Sequence, residues 1–143
     1  MNPIFISISI KKKEKFFNFN LIFLFVFFFS FEKVYGETSP DLIDSILKVI
    51  NLTEDQTFID LGSGVGNVVL HVAALANCKH VYGIEHEETP ATYARSMAEE
   101  FRFWMRWYGK RYSEFQLEHG DFLTHPMIDE RIKEADVIFA NNY

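Results

Sequence analysis

A chain of 143 residues with a net charge of −6 has room for one domain with a sizeable core and no more. The charge is divided: residues 1–31 carry four Lys and one Glu, +3, which leaves −9 on residues 32–143. So acidic a body has no electrostatic footprint for nucleic acid, and no direct DNA-binding patch is expected. Cys78, the single cysteine, can close no internal disulfide, and no Cys/His cluster offers a metal site.

Residues 1–31 differ in composition from the rest, holding ten of the sixteen Phe. Lys11-Lys12-Lys13-Glu14-Lys15 precedes an apolar run from Leu21 to Phe29, the order of a signal peptide, but Phe28 and Ser30 give no small-x-small cleavage site. Even Phe16 to Phe31 would span only about 24 Å as a helix, short of the roughly 30 Å bilayer core. A low-complexity leader outside the fold is the favoured reading. A signal or anchor, and a folded element, are the alternatives.

Folded sequence is expected from residue 32. Ser39 before Pro40 is an N-cap with proline at the first helical position, and Leu42, Ile43, Ile46, Leu47 and Ile50 recur at helical spacing. A helix over Pro40–Ile50 follows, stopped at Asn51. Thr57–Leu61 is a short apolar strand that opens into a glycine-spaced loop, and Val68–Ala76 reads as a buried helix. His80–Glu85 is a second strand, ending in a carboxylate placed to accept from ribose hydroxyls. Thr89-Pro90 opens the longest helix, to about Tyr108, with Ala94, Met97, Ala98, Phe101, Met105 and Tyr108 as its core stripe, widened by Trp104 and Trp107. Glu114–His119 is the third strand, Pro126–Lys133 a short helix, and Asp136–Ala140 the fourth strand. Past the third strand, Asp121 and Phe122 are an acid and an aromatic suited to an adenine: one bonds the exocyclic amine, the other packs on the ring. The five His, at 71, 80, 86, 119 and 125, have no partner spacing and are expected to be ordinary.

Strand, loop and helix at Thr57–Ala76 form the ligand-cradling corner of a doubly wound α/β sheet. Glycines at 62, 64 and 66 can take positive φ and admit a ligand close to backbone, and the next helix offers free N–H groups. A dinucleotide fingerprint would need its third glycine at position 67, where Asn67 stands. Asp60-x-Gly62-x-Gly64-x-Gly66 instead resembles the first motif of S-adenosylmethionine-dependent methyltransferases. That cofactor carries an amino acid and a sulfonium in place of a pyrophosphate, so a carboxylate beside the loop is useful.

Six segments together look like the Dot (disruptor of telomeric silencing) family: Val34–Ser39, Asp60–Gly66, Asn77–His80, Trp104–Lys110, Gly120–Leu123 and Val137–Tyr143. The resemblance covers about residues 33–143. It implies a non-SET histone-lysine methyltransferase that uses S-adenosyl-L-methionine to modify a lysine on the globular core of histone H3 in nucleosomes, and hence a nuclear protein. It implies a Rossmann-like sheet of which about four strands are present. Tyr35, Gly36, Glu37 and Thr38 would close on the methionine part of the cofactor. Asp60, Gly62, Ser63, Gly64, Val65 and Gly66 would line its amino-acid end, with Asn67 where the family often has Gln. Glu85 would hold the ribose, Asp121 and Phe122 the adenine, and Asn141 would sit beside the sulfonium at the mouth of the lysine channel.

The chain also departs from the family. A helical lobe is expected before Val34, where the leader stands, and further strands beyond Tyr143, so the edge at the fourth strand is expected to be open. The expectation is a cofactor-binding fragment with no measurable activity alone. A non-catalytic cofactor-binding or regulatory module is the alternative. A membrane-tethered small-molecule methyltransferase is a third reading if residues 16–31 are an anchor.

Overall fold

A computed structural model describes residues 5–11, 21–27 and 38–142. Four parallel strands form its centre: β3 (Thr57–Leu61), β4 (His80–Glu85), β5 (Phe115–His119) and β6 (Val137–Asn142). Before them come β1 (Phe5–Lys11), β2 (Leu21–Phe27) and helix α1 (Pro40–Ile50). Helices α2 (Asn67–Leu75), α3 (Glu88–Trp107) and α4 (Ile128–Glu134) make the crossovers. The sheet order is β2-β1-β6-β3-β4-β5. From β3 the chain winds outward to β5, then returns to lay β6 on the other side of β3. That reversal leaves a crevice at the carboxyl ends of β3 and β6, where open α/β sheets bind ligands.

Local chemistry accounts for the element ends. Ser39 Oγ accepts from Leu42 N at 3.3 Å, Pro40 fills the first turn, and Asn51 closes α1 at φ 50° while its N–H bonds Leu47 O. Two cores result from strand alternation. Phe58, Val81, Phe115, Val137 and Phe139 face α1, α2 and α3, whereas Ile59, Tyr82 and Ile84 face α4 through Ile128. Gly83 faces α2, and a Cβ there would lie 2.6 Å from Val69 Cγ2 and 2.8 Å from Leu117 Cδ2. Close packing of α2 on β4 therefore needs glycine at this point.

Two expectations meet a different outcome. Of the stripe read as core on α3, only Ala94 and Ala98 are buried. Met97 is 42 % exposed, Trp104 48 %, Trp107 72 % and Tyr108 66 %. Helical periodicity reports a face but not how far the supporting sheet extends. A 20-residue helix is about 30 Å long, against about 20 Å for a six-residue strand, so the end of α3 overhangs. Phe101 is its last strong anchor, edge-on to Tyr112 and Phe115 at 5.2 and 5.4 Å.

The second concerns the edge of β6. β1 pairs antiparallel with it, Phe5 opposite Asn142 and Ile10 opposite Val137, and β2 pairs antiparallel with β1. The leader, expected outside the fold, thus contributes two strands, and the edge expected to be open has a partner for its backbone groups. Pairing with β3 ends at Ala140, so it is β1 that carries β6 on through Asn141 and Asn142. Among the described residues no helix is long and apolar enough to cross a membrane.

Candidate active site

The glycine loop is fixed by the end of β4. Gly62 N and Ser63 N both donate to Ile84 O at 2.9 Å, and Gly66 N returns to Ser63 O at 2.9 Å. Glycines 62, 64 and 66 hold φ of 80°, 55° and 86°, the left-handed region that disfavours side chains. Among the described residues a Cβ at Gly62 or Gly64 would meet nothing within 4 Å, whereas one at Gly66 would strike Leu117 Cδ1 at 2.8 Å. The first two glycines leave room for a ligand. The third allows the helix to pack.

Four polar residues expected at the site stand in different circumstances. Glu85, at the carboxyl end of β4, accepts from Gly64 N and Glu87 N, each at 2.7 Å. It shapes the loop before it touches any ligand, and each carboxylate oxygen keeps a second lone pair for a hydroxyl. Asp60 is 2 % exposed, and its Oδ1 has no hydrogen-bond partner among the described residues. Burial, and secondarily the charge of Glu85, push its pKa from 3.8 up to about 8. Ser63 Oγ is likewise buried and without a partner among the described residues. Asn141 Nδ2 donates to Thr38 Oγ1 at 3.2 Å, which brings together two expected site residues 103 positions apart.

Asp121 and Phe122 follow the carboxyl end of β5 and belong to a turn. Asp121 Oδ1 accepts from Leu123 N at 2.8 Å, and its carbonyl accepts from Thr124 N and His125 N. Phe122 is half-buried against the core of Ile59, Tyr82 and Ile84. Val65 and Asn67 are half-buried, and Asn67 begins α2. Tyr35, Gly36 and Glu37 lie outside the described residues. A cavity of about 800 Å³ lies beside this corner, between α1, α2 and α3, with Thr38 and Asn67 on its wall and mostly apolar side chains elsewhere. Asp60, Glu85 and Asp121 do not line it, so the polar site is the corner itself.

Sequence reasoning missed two contributors. The Thr38–Asn141 bond joins distant segments and leaves no local signal. Gly83 is a lone glycine in a strand, itself a sign of close backbone approach.

Residues 27–143 match the family described as Histone methylation protein DOT1. The chain belongs to this family. It is 46 % identical over 111 residues to the histone-lysine N-methyltransferase, H3 lysine-79 specific, of Drosophila melanogaster, a match that takes in 78 % of this chain and 6 % of that protein. With the Caenorhabditis elegans protein of the same description the identity is 39 % over 111 residues, 78 % of this chain and 12 % of that one. The chain thus spans a small part of the DOT1 relatives it matches. Among solved structures, an RNA methyltransferase from Salinibacter ruber in complex with S-adenosyl-L-homocysteine is similar at TM-score 0.51 and 23 % identity, covering 64 % of this chain and 54 % of that one. Precorrin-6y C5,15-methyltransferase from Geobacter metallireducens is similar at TM-score 0.51 and 17 % identity, covering 66 % and 46 %. These likenesses show the fold: the four parallel strands of this DOT1 chain have a Rossmann-like arrangement.

Proposed function

We infer that this chain is the S-adenosyl-L-methionine-binding part of a histone-lysine N-methyltransferase that acts on a globular-core lysine of histone H3 in nucleosomes, and so works in the nucleus. The observation that carries the reading is the pair of buried polar atoms without partners among the described residues, Asp60 Oδ1 and Ser63 Oγ, beside two glycines that no other described residue crowds. Buried polar groups are nearly always bonded, so two orphans at one glycine corner favour a ligand with polar groups of its own. A cofactor with a cationic amino-acid end suits an acid that lacks a counter-charge. Family membership supplies the substrate class.

When bound, the cofactor supplies a methyl group on a sulfonium for displacement by a neutral lysine amine. The chain's part is to hold and orient. Asp60 and Ser63 would take the amino-acid end, Glu85 the ribose hydroxyls, and Asp121 with Phe122 the adenine. Asn141, steadied by Thr38, would stand near the reacting centre as a positioning amide. Little general-base strength is required, because orientation can supply much of the rate.

Calorimetry on the 143-residue protein tests the cofactor. S-adenosylmethionine and its demethylated product should bind, and Glu85→Ala should weaken them by about 1–3 kcal/mol. Tighter binding of NAD, or cofactor binding unchanged in Glu85→Ala, would overturn the assignment. Radiolabelled methyl transfer to recombinant nucleosomes tests the substrate. The chain alone should leave nucleosomes unlabelled and should label histone H3 once a family-type C-terminal half is added, whereas label confined to other histones or to DNA defeats the reading.

A further inference from the structure

The overhanging end of α3 carries a surface that the proposed function does not use. Residues 102–111, Arg-Phe-Trp-Met-Arg-Trp-Tyr-Gly-Lys-Arg, contain four cations and no acid, inside a body of residues 32–143 whose net charge is −9. Phe103, Trp104, Trp107 and Tyr108 are 53, 48, 72 and 66 % exposed. They are not scattered. Phe103 stacks on Trp107 at 6.4 Å between centroids, Trp104 on Tyr108 at 6.0 Å, and Phe103 meets Trp104 edge-on at 5.1 Å. Four rings therefore make one continuous apolar surface. Arg102 turns inward over Phe115 at 4.4 Å. Arg106, Lys110 and Arg111 are exposed, and none has an ion-pair partner among the described residues. A contiguous aromatic patch in a segment with three exposed cations, unpaired among the described residues, has the composition of a protein interface core with a charged rim.

We propose that this aromatic and basic end of α3 is a docking surface for an acidic protein segment that carries apolar side chains. Charge complementarity selects the acidic partner: a like-charged or neutral one would leave the cations unused, and the rest of this chain repels acids. The shape argues for protein over single-stranded nucleic acid. Strand-binding sites run along grooves with rings set apart to receive successive bases, whereas these rings stack on each other at the end of a convex helix. Aromatics and arginine are also the side chains that most often dominate protein-interface energy. This inference does not depend on the proposed methyl transfer.

The test is built into the chain, because Trp104 and Trp107 are its only two tryptophans. Emission from the full 143-residue protein is followed while adding a synthetic amphipathic peptide of Glu, Leu and Phe. A blue shift that added salt weakens is expected. The double reversal Arg106→Glu with Lys110→Glu should reduce affinity at least about tenfold. A charge reversal on α4, Glu130→Lys, should leave it unchanged. These exposed positions allow the variants to fold, which circular dichroism would verify. The proposal is overturned if the peptide produces no shift. It is also overturned if oligo-dT or vesicles of anionic lipid bind and the peptide does not. A concentration-dependent blue shift of the protein alone, abolished by the double reversal, would assign the face to a second copy of the chain and likewise overturn it.

Discussion

The two ends of the parallel sheet each bury an acid and a serine to the same depth, and these two matched pairs are bonded in opposite ways. At the amino end Asp136, 2 % exposed, accepts from Thr57 N at 3.0 Å. Ser113, 8 % exposed, donates to Ala76 O at 2.5 Å and accepts from Cys78 N at 3.0 Å. At the carboxyl end Asp60 and Ser63 have the same 2 % and 8 % exposure, yet Asp60 Oδ1 and Ser63 Oγ have no partner among the described residues. The matched pairs isolate hydrogen bonding at equal burial. A buried bonded acid holds two strands together, and a buried atom without a partner among the described residues is a cost that a bound ligand could offset.

Asp60→Asn should give the largest contrast. The carboxyl is raised in the folded protein from 3.8 to about 8, so the native state holds a proton that the unfolded state releases between those values. Its contribution to stability is fully present below about pH 4 and is lost as pH rises through about 8. The variant lacks this loss. At or above about pH 8 it should be more stable than the parent by on the order of 2–5 kcal/mol, and near pH 4 about equal to it. It should also bind S-adenosylmethionine poorly. Asp136→Ala, by contrast, should cost about 1–3 kcal/mol by leaving Thr57 N without its acceptor. Urea unfolding across pH measures both, and an Asp60→Asn that destabilises at every pH would break the comparison.

Gly83→Val should come next. The new Cβ would fall 2.6–2.9 Å from Val69, Leu117 and Ser63, all near the corner. Overpacking of this kind costs about 1–3 kcal/mol. Because Gly83 sits between the satisfied core and the orphaned Ser63, the variant should lose midpoint stability and cofactor binding together. Loss of either one alone would show that the close packing of α2 on β4 does not set the loop.

Legibility in the sequence followed how local the cause was. α1 was readable to the residue because Ser39, Pro40 and Asn51 mark both ends chemically. The strands β3 and β4 and the glycine corner were readable because alternation and glycine spacing are short-range patterns. The exposure of Trp104 and Trp107 was not, since it depends on how far the sheet reaches under α3. The pairing of β1 with β6 joins segments about 130 residues apart. Yet Ile6-Ser7-Ile8-Ser9-Ile10 alternates with a strand's period of two, a signal that composition obscured.

The smallest expected effect is the most discriminating. Ser63→Ala and Ser113→Ala remove the same hydroxyl from side chains of equal burial. Ser113 links Cys78 N to Ala76 O, so its loss should leave a buried donor and a buried acceptor without each other and cost about 1–2 kcal/mol. Ser63 Oγ bonds nothing among the described residues, so its loss should change stability by no more than about 0.5 kcal/mol, or raise it slightly by removing an unsatisfied group. The order should then reverse when cofactor is present. A hydroxyl that finds its partner only on the ligand should stabilise the parent against Ser63→Ala in saturating S-adenosylmethionine, while the Ser113→Ala deficit stays as it was. Thermal unfolding of the two variants, with and without cofactor, gives the four numbers required. If Ser63→Ala is destabilised as much as Ser113→Ala without cofactor, Ser63 is a structural group, and the carboxyl end of the sheet is not the exception described above.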